Sequence, residues 1–500
     1  RDDIDYAPAD AKVILGHHFS SIAGAGPITG PIFAAVFGWL PVYLWIVIGS
    51  IFIGGVHDAG SLLASVRHDG KSIGEIIKTN ISPRAKTIFN WYAWLTITLV
   101  VAAFTDICAS SFAFDASKPD LISGAQAGTA SILFIFLAML FGFVVYRKNA
   151  PIAIASIAGV ILLAFCIWFG FNFPILKMSK LTWQIVMIAY IGFASILPVW
   201  LLLQPRDYLC SFLLYAMMAG ALVGIIITRP TMQIPAFSGF VASNGQSLFP
   251  FLFVTVACGA ISGFHSLVSS GTTSKQIDKE EPDIKLIGYG GMLIEGLLAI
   301  VALIAVGYVA GQKGAPAQIF ANGVSFFMAS FGIPQSVGKV FIILAYSAFA
   351  LTSLDTATRI GRYIMQEIGV VKTASGEKKT IISNLYVSTL LTVAFSVILL
   401  AFGYTKIWPI FGSANQLLAA LALLAVTGWI MKQGKKSWET IIPLIFMFSV
   451  TLTALTFLIR SNIVGAKHNY VLAGIGILLF VLAILQILEG IRVLFLKKKA

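Results

Sequence analysis

Apolar runs long enough to cross a bilayer follow one another along almost the whole chain, and they leave it few folds to adopt. A membrane-spanning helix needs about 20 consecutive apolar residues. Fourteen such runs are read here, at about 16–36, 39–63, 86–112, 125–146, 151–170, 181–203, 209–229, 247–268, 287–311, 336–358, 381–402, 408–430, 440–460 and 470–495. In hydrocarbon every backbone N–H and C=O needs a partner within the protein, so a spanning segment is a helix or part of a closed barrel. Runs of this length without strict alternation read as helices. The predicted fold class is all-α: a polytopic membrane protein with about 14 transmembrane helices. Only 11% of residues are charged, against about 25% in soluble domains. A further apolar segment, 316–333, is short and bounded by Pro316 and Pro334, which suits a re-entrant or surface helix.

The net charge of +13 does not point to nucleic acid, because the basic residues sit between apolar runs rather than on one folded face. With the N-terminus inside and the spans alternating, most of the 34 Lys and Arg fall on the cytoplasmic side. They include Arg67, Lys71, Lys78, Arg84 and Lys86, and then Arg359, Arg362, Lys372, Lys378 and Lys379. The longest loops (64–85, 230–246, 269–286 and 359–380) are too short to fold alone, which removes enzymes with a cytosolic catalytic domain. Cys108, Cys166, Cys210 and Cys258 lie in or at the ends of apolar runs and form no CxxC pair, so they read as buried packing residues.

Helix-breaking sequence at membrane depth is tolerated where it lines a cavity or is buried in protein, and it marks transporter sites. The first span reads GHHFSSIAGAGPITGPIF, with Gly24, Gly26, Pro27, Gly30 and Pro31 close together. The sixth reads IGFASILPVWLLLQPRDY, with Pro198 near its middle. Two broken spans five apart, running in opposite directions, predict a LeuT-like core of two inverted five-helix repeats. The expected boundaries are a core in 1–358, repeats at about 16–170 and 181–358, and four additional helices in 381–500. Ser21, Gly24, Ala25, Gly26 and Pro27 on one break, facing Ser195, Pro198 and Gln204 on the other, are the candidate substrate-binding residues. A third polar interruption, IWPIFGSANQLLAAL, carries Asn415 and Gln416 and reads as interhelical glue.

Ionisable residues inside a membrane are functional candidates. His17, His18, His57, Asp58 and His265 fall at similar depth on three helices, and Glu295 lies in the cytoplasmic half of the ninth span. These six are the candidate proton-coupling residues, since histidine titrates near physiological pH. His57, Asp58 and His265 also offer the donor types that suit zinc, which leaves open a membrane metalloenzyme or a metal-ion transporter. The chain has no HExxH pattern. Asp355 and Arg359, four apart on a helix, are a candidate gating pair.

Five motifs in order give the chain a family resemblance. DYAPADAKVILGHHFSSIAGAGPITGP, the His57–Asp58 pair, GFHSLVSSGTTSKQI, TSLDTATRIGRY and WPIFGSANQLLAA resemble the carbon starvation (CstA) family, from Asp5 to about Ala420. The resemblance implies secondary active import of pyruvate or short peptides, driven by an ion gradient of protons or Na⁺. It also implies a LeuT-like core. No cofactor is expected, and the expected location is multi-pass in a prokaryotic plasma membrane. Members of the family carry one more helix before the DYAP run, so a helix preceding Arg1 is expected.

Overall fold

The computed structural model describes residues 8, 11–117, 122–148, 150–198, 201–312, 314–373, 376–464 and 468–493. Helices α1 (Ala11–Ile22) and α2 (Gly26–Ala34) form a pair bent by 41°. Helix α3 (Trp39–Ile48) runs through a π-type turn at Gly49–Gly54 into α4 (Gly55–Val66). A short α5 (Ile73–Asn80) precedes α6 (Pro83–Phe112), and α7 (Ile122–Lys148) and α8 (Ile152–Asn172) make a hairpin. Next come α9 (Lys180–Ile196) and α10 (Leu203–Thr228), and then α11 (Leu248–Val256) and α12 (Gly263–Gly271), parted by a 3₁₀ turn at Ala257–Gly259. Helix α13 (Glu280–Ile284) passes through a second π-type turn at Lys285–Tyr289 into α14 (Gly290–Tyr308). Helix α15 (Pro316–Ala329) precedes α16 (Gln335–Ile368), and a hairpin of β1 (Val370–Thr373) and β2 (Gly376–Lys379) follows it. The chain continues with α17 (Leu385–Leu400), α18 (Tyr404–Lys432), α19 (Trp438–Val464) and α20 (Tyr470–Ile491).

Local chemistry sets many of these boundaries. Ser72, Ser82, Ser179 and Asn384 cap α5, α6, α9 and α17 by accepting backbone N–H groups of the first turn. Pro198 ends α9, because the residue before a proline is pushed out of helical conformation and Leu197 is extended, with ψ 149°. Among the described residues eleven helices are long and apolar enough to span a membrane, and the bent α1–α2 pair makes a twelfth. The two remaining predicted spans, 181–203 and 381–402, fold as the shorter apolar helices α9 and α17.

The all-α core is built on α6, α16 and α18. Helix α6 packs along α16, and α18 is buried over its whole apolar window, whereas α8 buries only 17% of its own. The helix that meets the first break is α11–α12 in the predicted span 247–268, not the predicted span 181–203. Packing recurs in two sets. Helix α6 lies on α9 as α16 lies on α17, and α1 lies on α10 as α11 and α12 lie on α18. Helix α2 packs on α14 as α12 packs on α4. The short α5 sits against α6 and α18 as α15 sits against α16 and α10. Both π-type turns fall in the span that follows a broken one.

Candidate functional site

The two breaks touch. Residues Ala23–Ala25 fall outside both helices, between α1 and α2, and the close contact explains the glycines. A Cβ on Gly26 would lie 2.6 Å from Cys258 Sγ, and one on Gly30 would lie 2.2 Å from the Val256 carbonyl oxygen. The second break has no proline. It turns at Ala257, whose φ is 47°, a left-handed value that costs a non-glycine residue energy. Helix α16 holds the first break. Ser353 Oγ donates to the Ser21 carbonyl at 3.0 Å, and Thr29 Oγ1 lies 2.8 Å from Tyr346 Oη. Ser21, Gly24, Ala25, Gly26 and Pro27 are therefore buried where the two breaks meet. Ser195, Pro198 and Gln204 are elsewhere, at the α9–α10 junction. Ser195 is buried, Pro198 is exposed and Gln204 is half-buried.

Beside the breaks lies a chain of alternating imidazoles and carboxylates. Asp58 Oδ1 is 2.6 Å from His57 Nδ1, and Asp58 Oδ2 is 2.7 Å from His265 Nδ1. His265 Nε2 is 3.2 Å from Glu295 Oε2. Helices α4, α12 and α14 supply these groups, and all four side chains are fully buried. Helix α1 adds His18, whose Nδ1 lies 2.8 Å from Thr273 Oγ1 and whose ring faces Gly291. The Nε2 atoms of His18 and His57 and the Glu295 Oε1 atom are buried without a hydrogen-bond partner. Such atoms are costly to leave unpaired and are suited to taking up or passing on a proton. Both imidazoles turn Nδ1 onto Asp58, so His57, Asp58 and His265 do not converge as one ligand set. Among the described residues, the donors that come within 4.8 Å of one another are Cys258, His265 and Glu295.

His17 does not join this chain. Neighbouring residues on a helix point about 100° apart, and His17 turns to Asp207, with Nδ1 3.4 Å from Oδ2. Ser21 Oγ donates to the same oxygen at 3.4 Å. Asp207 belongs to a second buried network on α9, α10 and α16. Arg206 donates to Asp207 Oδ1 at 3.1 Å and to Tyr190 Oη at 2.6 Å, and it pairs with Asp355. Tyr190 Oη donates to Asp355 Oδ2 at 2.7 Å. The expected Asp355–Arg359 pair does not form. Arg359 instead donates to the carbonyls of Ala194 at 2.8 Å and Leu197 at 2.5 Å, which α9 releases where it ends. Arg206 and Asp207 stand at the end of the sixth predicted span, and nothing local in QPRDY marks Arg206 as a partner of Asp355, 149 residues away.

The family model of carbon starvation protein CstA matches residues 1–313 and 308–454. The chain is 33% identical to the peptide transporter CstA of Escherichia coli (strain K12), over 91% of this chain and 74% of that protein. It is 30% identical to the pyruvate/proton symporter BtsT of the same organism, over 91% and 75%. Among solved structures it is similar to MhsT in complex with L-phenylalanine, with TM-score 0.49, 15% identity, and coverage of 95% of this chain and 99% of that one.

Proposed function

The chain belongs to the carbon starvation protein CstA family, and we propose that it imports pyruvate or a short peptide together with protons across the plasma membrane of a bacterium. The observation that carries this reading is Asp58. One fully buried carboxylate is shared by two imidazoles, one of which reaches a second carboxylate, and the whole chain adjoins the contact between two broken helices. The similarity to a peptide transporter and to a pyruvate/proton symporter supports the substrate class and the coupling ion.

The physical logic is charge balance. An unpaired charge in a low-dielectric core costs several kcal/mol, so groups of opposite sign favour being bound together. The N-terminal turn of α2 has no side-chain cap; Pro27 brings no N–H and Thr29 donates to the Ala25 carbonyl, and the Gly26 and Ile28 N–H groups with the helix dipole suit a substrate carboxylate. A proton on the Asp58–His265–Glu295 chain compensates that negative charge. Because α12 carries His265 and is half of a broken helix, the same proton biases the helix that moves. His18 and His17 place α1 between this chain and the Arg206 network, where Asp355 and Arg359 fix the α9–α10 end of the gate.

The recurrent packing supports repeats of α1–α6 with α9 and α10, and of α11–α18. Helices α7 and α8 are then inserted in the first repeat, and α19 and α20 are appended. These boundaries differ from those expected at 16–170 and 181–358, and they bring α17 and α18 into the core.

Uptake into proteoliposomes tests the function. Accumulation of labelled pyruvate or a dipeptide under an inward proton gradient, and not under a Na⁺ gradient, is expected. Equal uptake with no gradient, failure to move either solute, or stoichiometric zinc in purified protein would overturn the reading.

A further inference from the structure

The second break is closed by a side chain from outside it. Asn415 lies in α18, fully buried. Its Oδ1 accepts the Phe264 N–H at 2.9 Å, and its Nδ2 donates to Ser262 Oγ at 3.0 Å and to Cys258 Sγ at 3.5 Å. One amide thus holds the end of the 3₁₀ turn and the first turn of α12 together. The approach is close because residue 263 is a glycine: a Cβ there would lie 2.3 Å from the Asn415 carbonyl oxygen.

Each end of this clasp leads to a different part of the proposed machinery. Cys258 abuts Gly26 of the first break. Phe264, whose N–H is held, precedes His265, the imidazole between Asp58 and Glu295. The neighbouring Gln416 does something simpler. Its Nε2 donates to the Phe253 carbonyl at 2.7 Å, on α11 before the break. Carboxamides are the uncharged side chains with separate strong donor and acceptor ends. Leucine at 415 would fill similar space with neither function, and aspartate would keep the acceptor alone.

We infer that Asn415 is a positioning residue that sets the width of the second break and, through it, the alignment of His265 in the proton chain. This inference rests on the proton-relay reading for its second half only. The test therefore has one arm that needs no transport. In full-length protein with Cys108, Cys166 and Cys210 replaced by alanine, the rate at which N-ethylmaleimide alkylates Cys258 is compared in the parent, Asn415→Leu, Asn415→Asp and Gln416→Leu. The expected result is at least a tenfold faster reaction in Asn415→Leu, a smaller change in Asn415→Asp and parent-like rates in Gln416→Leu. The second arm is the pH profile of pyruvate and dipeptide uptake in proteoliposomes. Asn415→Leu is expected to displace the midpoint of the profile, with Asn415→Asp closer to the parent and Gln416→Leu unshifted.

Equal alkylation in Asn415→Leu and Gln416→Leu overturns the clasp. Faster alkylation with an unmoved pH profile overturns the positioning of His265. A parent whose uptake ignores pH overturns the relay reading, while the alkylation rates still decide whether Asn415 holds the break.

Discussion

At the scale of single residues, the buried groups divide into two networks. Asp58 is the hub of one. Replacing it with asparagine keeps the shape but removes the charge that two imidazoles share. Asp58→Asn is expected to lower proton-driven accumulation by about tenfold or more, the factor that each 1.4 kcal/mol of lost coupling sets. Substrate exchange without a gradient should persist, and the ratio of the two uptake rates is the measurement. Arg206 is the hub of the other. It is buried with two carboxylates and a phenol around it. Arg206→Met leaves those carboxylates uncompensated, and a loss of about 3–5 kcal/mol is expected, read as a lower unfolding midpoint in detergent. Adding Asp355→Asn to that variant should restore part of the loss.

The residue scale also shows what the sequence could not carry. Depth along the spans was enough to place His17, His18, His57, Asp58 and His265 in one layer, but not to choose which of them share a partner or to join Glu295 to them. Which way a side chain turns is set by partners far away in the chain. His17 meets Asp207 and His18 meets Thr273, although the two histidines are adjacent. Asp355 has a cation four residues on, yet it takes Arg206 from another helix.

At the scale of helices, the two breaks are made by different means. The first is written in its own residues, as glycines and prolines in GAGPITGP. The second, around ACGAIS, contains no proline, and Asn415 from α18 takes up the Phe264 N–H at its end. A search for helix-breaking residues therefore finds Pro198, which merely ends α9. The close approach of α2 to α11 gives a test. A methyl group on Gly30 would strike backbone, which cannot rotate away as a side chain can. Gly30→Ala should cost about 1–3 kcal/mol by overpacking, seen as reduced folded yield and a lower unfolding midpoint.

The surface helix α5 gives a pH-dependent prediction. Burial raises the Glu75 carboxyl, but its bonds to Lys86 and to Lys78, the latter at 2.9 Å, outweigh burial and hold it below the usual carboxylate range. A carboxyl depressed by folding adds stability above its unfolded value of 4.5, and that stability is lost as pH falls through the folded value. Thermal unfolding should therefore separate the parent from Glu75→Gln at pH 7 and bring them together near pH 3. The difference is about 1 kcal/mol or less, because these groups are partly solvated.

For the whole molecule, the apolar runs and the loop charges were sufficient to read an all-α polytopic protein, because the bilayer dictates span length and backbone satisfaction for any such chain. Fold topology was harder to read. The hairpin α7–α8 lies between α6 and α9 in the chain, so counting five spans on from the first break reaches α9 rather than α11–α12, which meets that break. Tertiary packing restores the correspondence, since α9 and α10 then stand to α6 and α1 as α17 and α18 stand to α16 and to α11 and α12. In this arrangement the Asp58 chain joins helices from both sets, which is where a proton would act on both at once.

Proton movement itself is the direct test. Proteoliposomes loaded with a pH-sensitive dye, with no imposed gradient, are given pyruvate or a dipeptide from outside. Prompt internal acidification in the parent, absent in Asp58→Asn reconstituted at equal density, is the predicted result. Solute entry without acidification, or equal acidification in Asp58→Asn, would contradict a transport cycle driven through the Asp58–His265–Glu295 chain.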